Sequence, residues 1–197
     1  MSRKRSNRFP LAILIVIIIF VIYFSSRGGL PEAPEGYSWK QSDRMNSHFL
    51  VPEGWSYKEE AEEGSDTIYI TKAPVGEDGG FSVGLFVNAL NDCADTMGMS
   101  PSEYAERFID DMSSIAELKG RSEPVGAGGD FLGYGAFFTS EEEGEDGGRT
   151  VQFVLTLGND KTGTMYVAIF KSPEREWEGA WAAGRKIIDN LAFDNKH

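Results

Sequence analysis

His48, Cys93 and two acidic loops hold most of the chemistry this chain could offer. The only other histidine, His197, is the chain terminus. A Ser-His-Asp or Cys-His arrangement would therefore have to run through His48. That residue opens the extended segment His48-Phe49-Leu50-Val51, where a half-exposed structural histidine is expected rather than a base. Zinc sites draw on several His or Cys ligands, and the chain cannot supply them. Gly126-Ala127-Gly128-Gly129-Asp130 begins like a dinucleotide-binding loop, but Phe131 stands where the third glycine is needed and a strand follows, so it reads as a turn. These absences point to a protein that is not an enzyme, with no cofactor.

The acidic loops are the remaining candidates. Glu141, Glu142, Glu143, Glu145 and Asp146 surround Gly144, and Glu77 with Asp78 sits in a glycine-rich loop. Calcium favours several such oxygens, yet neither stretch has the ligand spacing of an EF-hand, and a run of like charge suits a solvated hairpin tip. The seven residues are read as a partner or ligand surface, not as a metal site. Asn91-Asp92-Cys93-Ala94-Asp95 sets carboxylates beside a thiol, again without a metal pattern. Cys93 is the sole cysteine, so no disulfide can form within one chain, and burial as a small hydrophobe is expected.

The elements that would position these residues follow from periodicity. Residues 66–71 are β-rich, and Phe81, Val83, Leu85 and Val87 alternate with smaller residues, so the two segments predict a hairpin around the Glu77-Asp78 loop. Ser100-Pro101-Ser102-Glu103 carries an N-cap serine, a proline at the first helical position and a capping-box glutamate. The helix that follows shows Tyr104, Phe108, Met112 and Ile115 as an apolar stripe, with Gly120 as its expected stop. Strands are predicted over 131–139, 150–157 and 164–170, the last pair joined by a turn over 158–163. Residues 165–170 are apolar on both faces and belong in the middle of a sheet. Ser172-Pro173-Glu174 predicts a second capped start, followed by a closing helix with Trp177, Trp181, Gly184, Ile188 and Leu191 on one face.

This layout of strands, helix, strands and helix comes with local phrases that resemble the PsbP-like superfamily. The phrases are Phe49-Leu50-Val51-Pro52-Glu53-Gly54-Trp55, the helix after Ser100-Pro101, and Tyr166 to Phe170 followed by Ser172-Pro173 and an amphipathic helix. The resemblance spans roughly Phe49 to Phe193. It implies an α+β fold, an α/β/α sandwich in which a central antiparallel sheet of about six strands lies between two main helices. It also implies action through protein binding, because members mostly bind proteins and share no catalytic motif; no functional residue transfers.

Domain organisation is set by the N-terminus. Residues 1–8 form a basic tail, and 9–26 an apolar run that would rise roughly 27 Å as a helix, close to a bilayer core of roughly 30 Å. With Arg3, Lys4, Arg5 and Arg8 ahead of it, the run predicts a transmembrane signal anchor with a cytoplasmic N-terminus. Cleavage as a secretory signal peptide is the alternative, although an Ala-x-Ala site is missing. Residues 27–42 read as a flexible tether and 43–197 as one domain. Residues 1–27 hold five basic and no acidic groups, leaving 14 basic against 31 acidic beyond them, a net of −17. Nucleic acid is excluded as a partner on that charge. The expected role is a membrane-tethered, extracytoplasmic binding or accessory module serving a cell-envelope protein; a small-molecule or lipid-binding domain, with Trp177 and Trp181 lining a pocket between sheet and helix, is the alternative.

Overall fold

A computed structural model describes residues 30–122, 124–126, 130–141 and 148–193. Among them, β1 (Tyr37–Ser42), β2 (Ser47–Pro52), β3 (Ser56–Glu62), β4 (Ser65–Thr71) and β5 (Gly84–Leu90) lead into two helices, α1 (Cys93–Met97) and α2 (Pro101–Met112). Then come β6 (Glu117–Arg121), β7 (Val125–Gly126), β8 (Phe131–Glu141), β9 (Arg149–Asn159) and β10 (Thr164–Pro173), followed by a 3-10 turn at Glu174–Glu176, α3 (Trp177–Ile188) and β11 (Ala192–Phe193). The predicted anchor over 9–26 lies outside the described residues. Among the described residues no helix is long and apolar enough to cross a membrane.

Every strand pair is antiparallel. The larger sheet runs β3-β4-β5-β10-β9-β8-β6 with β7 also paired to β8, and the smaller runs β1-β2-β11. The alternation of β10 explains why the large sheet is covered on both faces. Tyr166, Ala168 and Phe170 join a core with Trp177, Ile187 and Ile188 of α3, whereas Met165 and Val167 join a second core with Ala105 and Ile109 of α2. An apolar strand buried on both faces needs such a layer on each side. The fold is thus α+β with a helix on each face of an antiparallel sheet, as expected. The strand count is larger than about six, because β3, β6 and β7 at the margins carry mostly polar or small side chains and show no apolar period.

Three boundaries differ from expectation. Residues 37–42, placed in the tether, form β1, since backbone pairing to β2 orders a segment whose Ser38, Lys40 and Gln41 gave no apolar signal. Helix α2 ends at Met112, not near Gly120, because Ser113 and Ser114 turn their hydroxyls back onto the carbonyls of Ile109 and Asp111. Gly120 lies instead in β6, at a bulge after Leu118. Ser172 does not cap α3: it remains in β10 and donates to the Pro173 carbonyl, and the helix starts at Trp177 after the 3-10 turn. The capping box at Ser100 and Glu103 is formed as predicted.

Candidate functional site

Strand register places the predicted surface residues. Thr71 pairs with Gly84 at one end of the large sheet, so the loop carrying Glu77 and Asp78 lies at that end. Gly84 pairs with Lys171, Pro173 with Thr150, and Glu141 with Arg149, so β8 delivers Glu141 to the same end. Glu77 and Glu141, 64 positions apart in sequence, thus lie at the same end of the sheet, with β10 between their two hairpins. Glu142, Glu143, Glu145 and Asp146 lie outside the described residues. Asp78 is engaged within its own loop, where its Oδ1 accepts from the Gly80 N–H at 2.9 Å. Asp130 of the glycine-rich turn sits at the opposite end, paired with Lys161 at 3.3 Å.

Two open grooves lie at this end of the sheet. On the α3 side a groove of about 510 Å³ is lined by Trp55, Lys72, Val83, Glu176, Ala180 and Ala183, among others. Lys72 Nζ meets a Glu176 carboxylate oxygen at 3.3 Å across its mouth. A second groove of about 450 Å³ lies between the turn after α2 and the paired ends of β8 and β9, lined in part by Ile115, Glu117, Thr139, Glu141 and Arg149. Arg149 Nη2 donates to Glu117 at 2.9 Å and to Thr139 Oγ1 at 3.1 Å. The Lys119 ammonium, with Arg149 behind it, holds the Glu117 carboxyl below the usual carboxylate range.

The residues with catalytic potential are kept apart. His48 sits in β2 of the smaller sheet, opposite Gln41 and beside Ala192. Cys93 is fully buried in the α2-side core, where burial raises its thiol pKa. Among the described residues no cluster of three or more His, Cys, Asp or Glu side chains is arranged to hold a metal ion.

Trp177 and Trp181 line neither groove. Their rings stack at 5.1 Å and 12°, with Trp181 also against Phe137 at 5.5 Å, Phe153 at 5.1 Å and Phe170 at 5.8 Å. At Gly184 a Cβ would lie 2.6 Å from the Phe170 ring, so helix and sheet are in close contact beside them. The tryptophan that does face a groove is Trp55, directly before β3. Its only signal was its place directly after Pro52-Glu53-Gly54, a turn that brings it to the end of the sheet. Ile115 was missed as surface for the opposite reason: it continues the α2 stripe by spacing, but the helix stops before it.

No family model and no curated protein matches the chain. Solved structures do: the solution structure of PsbP from Synechocystis sp. PCC 6803 aligns with a TM-score of 0.49 at 17% identity, over 85% of this chain and 97% of that one. The fold is similar to that of PsbP. A protein of unknown function from Pseudomonas aeruginosa, described as a putative regulator, aligns at 0.46 and 10% identity over 79% and 96% of the two chains. The Ran-binding protein Mog1p of Saccharomyces cerevisiae aligns at 0.45 and 13% identity over 76% and 83%. These likenesses accord with the PsbP-like resemblance of residues 49–193 and concern the fold alone.

Proposed function

We propose that this chain is a membrane-tethered, extracytoplasmic and non-enzymatic module that works through protein–protein contacts in the cell envelope. The observation that carries the reading is the convergence of the Glu77 loop, Glu141 and two open grooves on one end of the large sheet. Loops at one end of a rigid sheet are a common arrangement for recognition. The separation of His48 from Cys93 supports contact rather than catalysis, and the basic flank before residues 9–26 supports the tether. The strong negative charge beyond residue 27 suits a partner with a basic face.

The test is capture of partners by a tagged full-length copy from detergent-solubilised membranes. A second copy has Glu77, Asp78, Glu141, Glu142, Glu143, Glu145 and Asp146 replaced by Ser or Gln. A discrete partner should be recovered with the first and lost or depleted with the second, and protease added to spheroplasts should remove the domain. Equal recovery by both copies, or full-length chain in the soluble cytoplasmic fraction, would overturn the reading. A calcium-dependent rise in melting temperature that vanishes in the substituted copy would make the loops a cation site instead.

A further inference from the structure

The chain enters the folded domain earlier than its composition suggests. Trp39 Nε1 donates to the Pro31 carbonyl at 2.9 Å, the Tyr37 N–H to the Pro34 carbonyl at 3.0 Å, and the Glu53 N–H to the Gly36 carbonyl at 2.8 Å. Residues 31–36 are thereby fastened to β1 and to the turn after β2. The Lys186 ammonium of α3 lies 4.2 Å from the centre of the Tyr37 ring, which ties the same strand to the closing helix. Ahead of the first fastened residue, only Arg27, Gly28, Gly29 and Leu30 remain between the domain and the apolar run over 9–26.

We propose that the side of the domain carrying β1 rests on the phospholipid headgroups of the bilayer that holds residues 9–26, kept there by the shortness of this connector. The inference rests on the anchored reading above and adds which face meets lipid. Reach decides it. From Ser26 to Pro31 the chain spans at most about 17 Å at full extension, and the headgroup layer takes up about 5–8 Å of that. Pro31 then stands no more than about 12 Å beyond the headgroups, whereas a domain of this size is about 40 Å across. Helix α2 lies in the other layer: Phe49 and Val51 of β2 share a core with α3, and α2 packs on the opposite face of the large sheet, two layer spacings of about 10 Å away. The domain can roll about its entry point but cannot turn α2 to the bilayer. Side chains at the entry suit this position. Leu30 is exposed, Tyr37 and Trp39 are half-buried, and Trp and Tyr concentrate at the headgroup level of membranes. Residues 27–40 carry Arg27 and Lys40 against Glu32 and Glu35, a net of zero in a strongly acidic chain, so a zwitterionic surface meets no excess of charge there.

The test places the full-length chain in phosphatidylcholine vesicles whose headgroups carry a nitroxide, which quenches only a dye that comes close to it. One copy carries the dye at Ser38→Cys on β1 and another at Arg107→Cys on α2, both exposed positions; the unsubstituted chain, whose Cys93 is buried, is the labelling blank. Lys40→Cys, also exposed on β1, takes the place of Ser38→Cys if the latter lowers the melting temperature. The β1 dye should be quenched several-fold more than the α2 dye. Insertion of about twenty Gly and Ser residues after Gly29 adds a root-mean-square reach of about 25 Å and should bring both dyes to the same weak quenching. Equal quenching of the two dyes without the insertion would overturn the proposal. Strong quenching at β1 that persists with the insertion would overturn it too, because the connector would then not be what holds the face to lipid. Alkaline carbonate extraction separates the two ways of failing. A chain retained in the vesicles without quenching at β1 keeps the anchor and loses the seated face, whereas a chain released from them loses the anchor and this inference with it.

Discussion

Gly158→Ala should be among the most damaging single-methyl changes available in this chain. Gly158 lies on β9 between Met165 and Leu132, and a Cβ there would stand 2.4 Å from the Pro101 carbonyl carbon and 2.5 Å from Ser102 N. Ordinary contact begins near 3.4 Å, so the first turn of α2 would have to retreat by about 1 Å. That turn is not free to move. The Ser102 N–H and hydroxyl both donate to Asp160, at 2.8 and 2.6 Å, while the capping box fixes Ser100 and Glu103. Overpacking of this kind costs about 1–3 kcal/mol, and weakening hydrogen bonds to a carboxylate adds to it, so about 3 kcal/mol is expected. For a domain of this size that lowers the melting temperature by about 6–12 °C. Far-UV circular dichroism of the full-length chain would read it. Gly120→Ala is the control, because a Cβ there meets nothing within 4 Å, and it should melt within about a degree of wild type. If Gly158→Ala melts within about 2 °C of wild type, or the two variants shift alike, the packing argument is refuted.

Trp181→Ala removes a ring in contact with four other aromatics and should cost about 3 kcal/mol; a melting curve within a degree or two of wild type, with binding lost, would instead make Trp181 functional surface. Cys93, buried and with its thiol pKa pushed up, should resist a thiol reagent at pH 8 until the chain is denatured, and labelling of native protein at the rate of an exposed thiol would contradict its burial. Asp189 has its pKa raised by burial, against the opposing pull of Arg185, and its Oδ1 has no hydrogen-bond partner among the described residues. A raised folded-state pKa means that the native chain binds more protons than the unfolded one between the ordinary aspartate value and the raised value. The contribution of Asp189 to stability is therefore greatest in acid and falls as pH rises through that window. Denaturant unfolding across that range should show a smaller decline for Asp189→Asn than for wild type, and an identical pH slope in both would count against it.

Legibility followed burial. The strands β8, β9 and β10 and the helix opened by Ser100-Pro101 could be read in advance, because Val151, Phe153, Leu155 and Leu157 alternate and the cap residues have one stereochemical use. Strands β1 and β6 could not, since Ser38, Lys40, Glu117 and Lys119 give no apolar period and their order comes from backbone pairing, to the next strand for β1 and to β8 for β6. The same limit applies to the site. Charge density singled out Glu77 and Glu141 as surface, but their placement at the same end of the sheet is a property of register across β5, β10 and β9. The grooves were hidden further, for Trp55 and Ile115 are apolar residues whose exposure depends on where a turn falls.

The smaller sheet sets β2 between a strand from the beginning of the domain and one from its end: His48 pairs with Gln41 on one side and with Ala192 on the other. The ring of Phe193 then packs against Phe49, Phe131 and Tyr166, so the last strand also closes the α3-side core. Synthesis runs the other way. A chain emerging N-terminus first carries β2 with one edge bare until residues 192 and 193 have been made, and the loop closure that fills this edge runs from His48 to Ala192. Completion of the domain is thereby tied to synthesis past Phe193: a product interrupted before residue 192 keeps an unpaired strand edge and an unfilled aromatic socket, the kind of exposed surface that makes partly folded chains prone to aggregate.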